Sequence, residues 1–173
     1  MSGQVNLGRR ALLRGRFEPP VDALLPPWAL DAGQFYEQCT RCDECISACP
    51  EQILIKGQGG FPVVDFKQGE CTFCGDCEKI CTSNALDART RTIPWQQTAQ
   101  VDERCLALQQ TVCRSCGEAC EPRAIHYEWL TRGIARPVVN NDLCNGCGAC
   151  VGICPTQAIQ IQKRTASFQE ANQ

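Results

Sequence analysis

Residues 39–50 read CTRCDECISACP, so that four cysteines fall within eleven residues and a proline follows the last of them. The gaps between these cysteines are two, two and three residues. Three cysteines at this spacing let one loop curl around a compact iron–sulfur cluster, and in the bacterial two-cluster pattern the fourth cysteine ligates the other cluster. The stretch therefore predicts iron–sulfur sites that come in pairs.

The same spacing returns along the chain, whose 173 residues include sixteen cysteines in four groups. The groups begin 32, 34 and 39 residues apart, which indicates an internal repeat. The first and fourth groups match the pattern fully, whereas the second has Thr82 in place of proline. The third group departs most, because seven residues separate Cys105 from Cys113, and we expect its first ligand to reach the cluster from a longer loop. The predicted ligands are Cys39, Cys42, Cys45, Cys49, Cys71, Cys74, Cys77, Cys81, Cys105, Cys113, Cys116, Cys120, Cys144, Cys147, Cys150 and Cys154.

Pairing the first group with the second, and the third with the fourth, predicts four [4Fe–4S] clusters with crossed ligands. Each cluster then takes three cysteines of its own group and the last cysteine of the neighbouring group. If each group instead kept its own last cysteine, the list of ligands would not change. The crossed sets are Cys39, Cys42, Cys45 and Cys81; Cys71, Cys74, Cys77 and Cys49; Cys105, Cys113, Cys116 and Cys154; and Cys144, Cys147, Cys150 and Cys120.

Composition and compartment favour metal binding over disulfides as the role of so many cysteines. With only six Phe, three Trp and two Tyr, the chain cannot stabilise its fold by burial alone and needs cross-links. Arg9–Arg10 is not followed by an apolar signal segment, and no stretch is long enough to span a membrane. We therefore expect a cytoplasmic protein, where disulfides are rare. Structural zinc is a weaker alternative, because it favours two separated C-x-x-C pairs without a third cysteine in step.

Short strands and helical turns are predicted around the cysteine loops. The β-branched stretches FPVVDF (61–66) and RPVVNN (136–141) suit strands, and the C-x-x-x-C gap spans one helical turn, which could place Cys45 and Cys49 on one helix face. Irregular stretches at 56–60, 88–98 and 131–137 are interpreted as linkers. The predicted fold is an α+β protein of two fused bacterial ferredoxin-like modules, each with two clusters. The predicted organisation is a basic N-terminal docking segment (1–35), module one (36–95), module two (96–163) and a flexible tail (164–173).

The remaining residues indicate no substrate chemistry of the chain's own. His126 is the only histidine and is interpreted as structural, and neither a glycine-rich phosphate loop nor a catalytic triad can be argued. A net charge of −2 without a broad basic surface argues against nucleic acid as a partner.

Two further features allow two interpretations each. Residues 1–16 carry four arginines and no acid, and Leu7, Ala11 and Arg14 fall on one helical stripe suited to a partner groove; a solvated tail is the alternative. Glycines in the cysteine loops could let backbone N–H groups approach cluster sulfides, or could serve only tight turns. These glycines are Gly75, Gly117, Gly146 and Gly148.

The chain resembles the NapF family, the ferredoxin-type accessory proteins of the periplasmic nitrate reductase system. The likeness rests on GRRALLRGRF (8–17), PPW (26–28), CTRCDEC (39–45), GGFPVVDFK (59–67), CLALQQTVCRSC (105–116), CEPRAI (120–125) and LCNGCGAC (143–150). The resemblance implies a cytoplasmic iron–sulfur protein that binds the catalytic molybdenum subunit, NapA, before export and helps it acquire or reduce its own cluster. The alternative is an electron-transfer subunit of an oxidoreductase.

Overall fold

Short helices and short strands alternate along the chain. The structure, a computed structural model, describes residues 23–90, 93–129 and 133–164. This mixture of helix and strand confirms the predicted α+β class. In chain order the elements are α1 (Ala32–Gln38), α2 (Glu44–Ser47), β1 (Leu54–Lys56), a 3-10 turn (Gln58–Gly60), β2 (Pro62–Val64), α3 (Asp76–Lys79), β3 (Gln97–Val101), α4 (Ser115–Glu118), β4 (Ile125–Trp129), β5 (Ala135–Val139), α5 (Ala149–Gly152) and β6 (Ile159–Lys163).

The four-residue helices α2 to α5 each contain the third cysteine of a group and end before the fourth. The one-turn gap suggested that Cys45 and Cys49 lie on one helix face. In the structure they do not, because α2 ends at Ser47, before Cys49. The residue before α3 and the residue before α5, Gly75 and Gly148, have φ of 80° and 87°. This left-handed backbone, which glycine adopts without steric penalty, turns each loop sharply into its helix.

Antiparallel strand pairs flank the cysteine groups. In the C-terminal half, β3 pairs with β6 over five residues, and β4 pairs with β5 over five residues. The stretch 131–137, interpreted as a linker from the sequence, includes the first three residues of β5, Ala135 to Pro137. In the N-terminal half, β1 pairs with β2 over three residues.

The strand expected after the second cysteine group is reduced to one bridge, Leu86 with Ala29. Only two backbone bonds flank it, from Leu30 N–H to the Ala85 carbonyl and from Asp87 N–H to the Trp28 carbonyl. The partner segment is preceded by Pro26 and Pro27, and proline has no N–H with which to extend a ladder.

Aromatic residues fill the N-terminal half of the core. Phe35 is fully buried, and its ring lies 5.3 Å from that of Tyr36 and 6.3 Å from that of Phe61. In the C-terminal half the buried side chains are smaller and include Ile125 and Ile159. Several cysteines are themselves buried, so the core is built around them.

The two ends of the chain are described in part. The predicted docking stripe of Leu7, Ala11 and Arg14 lies outside the described residues. Arg164, the first residue of the predicted tail, donates from Nε to the Gln97 carbonyl at 3.3 Å and from Nη2 to the Cys144 carbonyl. Throughout 23–90, 93–129 and 133–164, the helices are too short and too polar to cross a membrane.

Candidate metal centres

Three small cavities bring together cysteines that are distant in sequence. Each is lined by three cysteines of one group and by the last cysteine of the neighbouring group. We call them site 2 (Cys49, Cys71, Cys74 and Cys77), site 3 (Cys105, Cys113, Cys116 and Cys154) and site 4 (Cys120, Cys144, Cys147 and Cys150).

Site 1 is a fourth set, made of Cys39, Cys42, Cys45 and Cys81. The thiols of Cys81 and Cys42 act electrostatically on both Cys39 and Cys45, so the last cysteine of the second group lies beside the first group. All four sets therefore have the crossed arrangement, and none depends on a group keeping its own last cysteine.

The pKa values of the thiols show how strongly the sites disfavour isolated negative charge. Burial, reinforced by neighbouring thiols, raises the pKa of Cys45 to about 11 and that of Cys77 and Cys150 to about 12. Burial likewise raises the pKa of Cys71 to about 12. Without a cation these thiols keep their protons, whereas iron would supply the charge that makes thiolates stable. Metal loading is therefore expected to release protons.

Backbone N–H groups point at the last cysteine of the third and fourth groups. Ala124 N–H donates to Cys120 Sγ at 3.2 Å, and Ala158 N–H donates to Cys154 Sγ at 3.3 Å. A hydrogen bond to a ligand sulfur stabilises the thiolate and tunes the potential of a bound cluster. The two donors occupy the same place in their groups, four residues after the cysteine.

The irregular third group still assembles a site. Its long gap folds into a turn closed by Gln109 N–H to the Cys105 carbonyl at 3.0 Å and by Thr111 N–H to the Leu106 carbonyl at 2.8 Å. This turn takes up the extra residues, so that Cys105, buried, and Cys113 line one cavity. The departure in spacing lengthens the loop without removing its cysteines from the site.

Tyr127, on β4, is a residue at site 3 that the sequence pattern does not single out. Its Oη lies 3.5 Å from Cys116 Sγ, donates to the Arg114 carbonyl at 2.8 Å and accepts from Gly117 N–H at 3.1 Å. A Cβ at Gly117 would lie 2.6 Å from the tyrosine ring, so Gly117 makes room for Tyr127. The sequence offered one signal for this contact: Gly117, a residue without a side chain, follows the predicted ligand Cys116.

The other three loop glycines line cavities. Gly75 lies at site 2, and Gly146 and Gly148 lie at site 4, each with positive φ. His126 lies on the exposed side of β4, with Nε2 3.9 Å from a Glu128 carboxylate oxygen.

The donor sets fit [4Fe–4S] clusters. Each provides four thiols from two loops, which is the ligand set of such a cluster. Within the described ranges, no group of three or more His, Cys, Asp or Glu is placed to hold a single metal ion.

Comparison with protein families agrees with these sites. Residues 37–86 match the 4Fe-4S dicluster domain, and residues 137–160 match the 4Fe-4S binding domain. Together with the mixed helices and hairpins, these matches identify an α+β, ferredoxin-like fold that binds [4Fe–4S] clusters. The first match covers sites 1 and 2, and the second covers the loop of the fourth group.

Curated proteins similar to the chain are ferredoxin-type proteins. The ferredoxin-type protein NapF of Escherichia coli (strain K12) is 42% identical over 92% of this chain and 96% of its own length. NapF of Haemophilus influenzae is 41% identical over 90% of this chain and 94% of its own length. The methylamine utilization ferredoxin-type protein MauM of Methylorubrum extorquens is 34% identical over 86% of this chain and 75% of its own length.

Proposed function

Because the chain belongs to the NapF family of ferredoxin-type proteins, we propose that it assists the maturation of NapA, the catalytic subunit of periplasmic nitrate reductase. It acts in the cytoplasm on the precursor before export and helps that subunit acquire or reduce its own iron–sulfur cluster. Ferredoxin-type [4Fe–4S] proteins are electron carriers, and this chain performs no substrate chemistry of its own.

We propose that the protein contains two fused ferredoxin-like modules, residues 36–95 and 96–163. Together they hold four clusters, with all sixteen cysteines as ligands. The observation that carries the iron–sulfur part is the crossed assembly of sites 1 to 4, in which every site has four thiols. A bound [4Fe–4S] cluster supplies a one-electron redox centre. The chain's own contribution is to hold the thiols, to exclude water and to donate N–H groups to sulfur.

The basic N-terminal segment, residues 1–35, is the part of the chain that we propose binds NapA. The arginines of residues 1–16 suit an acidic surface, and the apolar stripe suits a groove. Anaerobic pull-down with the unexported NapA precursor should recover the complex with the full chain and lose it when residues 1–22 are deleted. Normal assembly and activity of nitrate reductase in a strain without the protein would contradict the proposal.

A second candidate is an electron-transfer subunit of an oxidoreductase. It is favoured by one contact, the hydrogen bond from Cys71 N–H to the Cys147 carbonyl at 2.8 Å, which joins a loop of each half. An electron-transfer subunit should co-purify stoichiometrically with mature enzyme, and its clusters should be reduced during turnover. A maturation factor should bind the precursor and release the finished enzyme.

A further inference from the structure

The loop of the fourth cysteine group is seated on the N-terminal half by a close contact. Gly148, in that loop, packs against the buried ring of Phe66, and a Cβ at Gly148 would lie 2.1 Å from Phe66 Cδ1. No side chain fits in that space, because real Cβ atoms do not approach other heavy atoms so closely. Gly148 is therefore required for this approach as well as for its left-handed backbone.

Trp95 also contacts the loop of the fourth cysteine group, through a hydrogen bond. Its ring packs edge-on against Phe66 at 5.9 Å and Phe73 at 5.8 Å, and its Nε1–H donates to the Asn145 carbonyl at 2.7 Å. Although the sequence placed Trp95 in a linker, only 6% of its surface is exposed. An indole that is buried and hydrogen-bonded to the cysteine loop fixes the position of that loop against the aromatic group.

A backbone hydrogen bond joins site 2 to site 4. Cys71 of site 2 donates its N–H to the carbonyl of Cys147 of site 4 at 2.8 Å. Cys77 of site 2 acts electrostatically with Cys45 of site 1, and Cys150 of site 4 acts with Cys116 of site 3. This hydrogen bond and these electrostatic interactions between neighbouring thiols place the sites in the spatial order 1, 2, 4, 3, which differs from their order in the sequence.

We propose that Phe66, Phe73 and Trp95 are positioning residues that hold sites 2 and 4 side by side, as the inner two of four sites in one row. This inference rests on the proposed function for the presence of clusters, but it concerns how the two halves are docked. The rate of electron transfer between two clusters depends on the distance between them. The docking of the halves therefore determines whether electrons pass between sites 2 and 4, so that the halves act as one carrier, or do not, so that they act as two.

The spatial order can be tested with ligand variants. Cys42→Ala with Cys113→Ala leaves only the inner sites intact, and Cys74→Ala with Cys147→Ala leaves only the outer sites. After anaerobic reduction, electron paramagnetic resonance should show spin–spin coupling in the inner-site protein and its loss in the outer-site protein. Equal coupling in both proteins, or coupling only between outer sites, would overturn the order.

The docking contact can be tested in the chain that keeps all sixteen cysteines, so the result does not depend on ligand variants folding. Gly148→Ala should lower the hydrogen-exchange protection of the Cys71 amide, because the new methyl group collides with Phe66. Gly133→Ala is the matched control: Gly133 has a φ of 77°, and a Cβ there would meet nothing within 4 Å. In Gly133→Ala, the hydrogen-exchange protection of the Cys71 amide should equal that in the unchanged chain.

Trp95→Phe removes the indole donor and keeps an aromatic ring. It should also lower Cys71 protection, whereas Trp129→Phe, at a tryptophan that is 72% exposed, should not. Unchanged Cys71 protection in both Gly148→Ala and Trp95→Phe would overturn the positioning role. Iron and sulfide analysis of the unchanged chain separates this failure from that of the proposed function. Fewer than four clusters in the unchanged chain contradict the function, whereas four clusters together with unchanged Cys71 protection in both variants contradict the docking.

Discussion

The N-terminal half joins its two ends through a single bridge, Ala29 with Leu86, whereas the C-terminal half joins its ends through five paired residues, from Gln97–Lys163 to Val101–Ile159. Both halves carry two cysteine groups in the crossed arrangement. The N-terminal half compensates with α1 and the rings of Phe35, Tyr36 and Phe61. One cysteine pattern is thus compatible with two ways of closing a fold, by aromatic packing or by a backbone ladder.

The largest expected effect comes from removing the metal, because metal binding to a site absent from the unfolded chain contributes directly to folding. Anaerobic removal of iron should leave the protein largely unfolded, as judged by circular dichroism. In hydrogen exchange, the last protected amides should lie in β3 and β6, since that ladder is closed by the backbone. A native-like spectrum of the metal-free chain would show that apolar packing alone supports the fold.

Phe35→Ala tests the aromatic closure of the N-terminal half. Deleting a buried phenyl ring typically lowers the free energy of unfolding by about 3–5 kcal/mol. Thermal unfolding of the loaded protein under nitrogen should show this loss, and exchange should accelerate first in α1, β1 and β2. Trp129→Ala is the control, because its ring is largely exposed and should change stability by about 0.5 kcal/mol or less. Equal effects of the two changes would mean that Phe35 packing does not close this half.

Thr98→Val tests the ladder of the C-terminal half. The buried Thr98 hydroxyl donates to Asn141 Oδ1 at 2.7 Å, linking β3 to the turn that precedes the fourth cysteine group. Its loss should lower stability by about 1 kcal/mol. Thr90→Val, at an exposed residue whose hydroxyl donates to the Asp87 carbonyl, should have less effect in the same measurement. A loss from Thr90→Val as large as that from Thr98→Val would show that the hydrogen bond from Thr98 to Asn141 does not specifically stabilise the C-terminal ladder.

Tyr127→Phe should have the smallest effect on stability and a specific effect on site 3. Burial, followed by the neighbouring Cys116 thiol, raises the pKa of Tyr127, so the hydroxyl keeps its proton. When Cys116 is a thiolate, the hydroxyl can turn this proton from the Arg114 carbonyl to the Cys116 sulfur, 3.5 Å away. Removing this donor should shift the potential of the cluster at site 3 to a more negative value in a redox titration followed by electron paramagnetic resonance. Tyr36→Phe, at the other tyrosine, should leave all potentials unchanged. A site 3 potential that does not move would show that the hydroxyl serves only packing.

Much of the site could be predicted because the cysteine gaps are local. Gaps of two, two and three residues determine how the loop curls in three of the groups, and the short helix in every group follows from the last two gaps, which all four groups share. The β-branched stretch at 62–64 likewise forms β2. The reduction of the strand expected after the second group to a single bridge could not be predicted, because its pairing partner follows two prolines, Pro26 and Pro27, more than fifty residues away.

The set of sixteen thiols, their grouping and the α+β class follow from the order of the amino acids alone, since these features depend on spacing over a few residues. Which last cysteine joins which site, and that Cys71 meets Cys147 rather than a cysteine of the third group, became clear only from the folded chain. Those choices depend on long-range packing, such as Gly148 against Phe66 and Trp95 against the fourth loop. The spacing favoured the crossed ligand sets but could not decide the docking of the halves, because it limits how each loop folds and not which loop it faces.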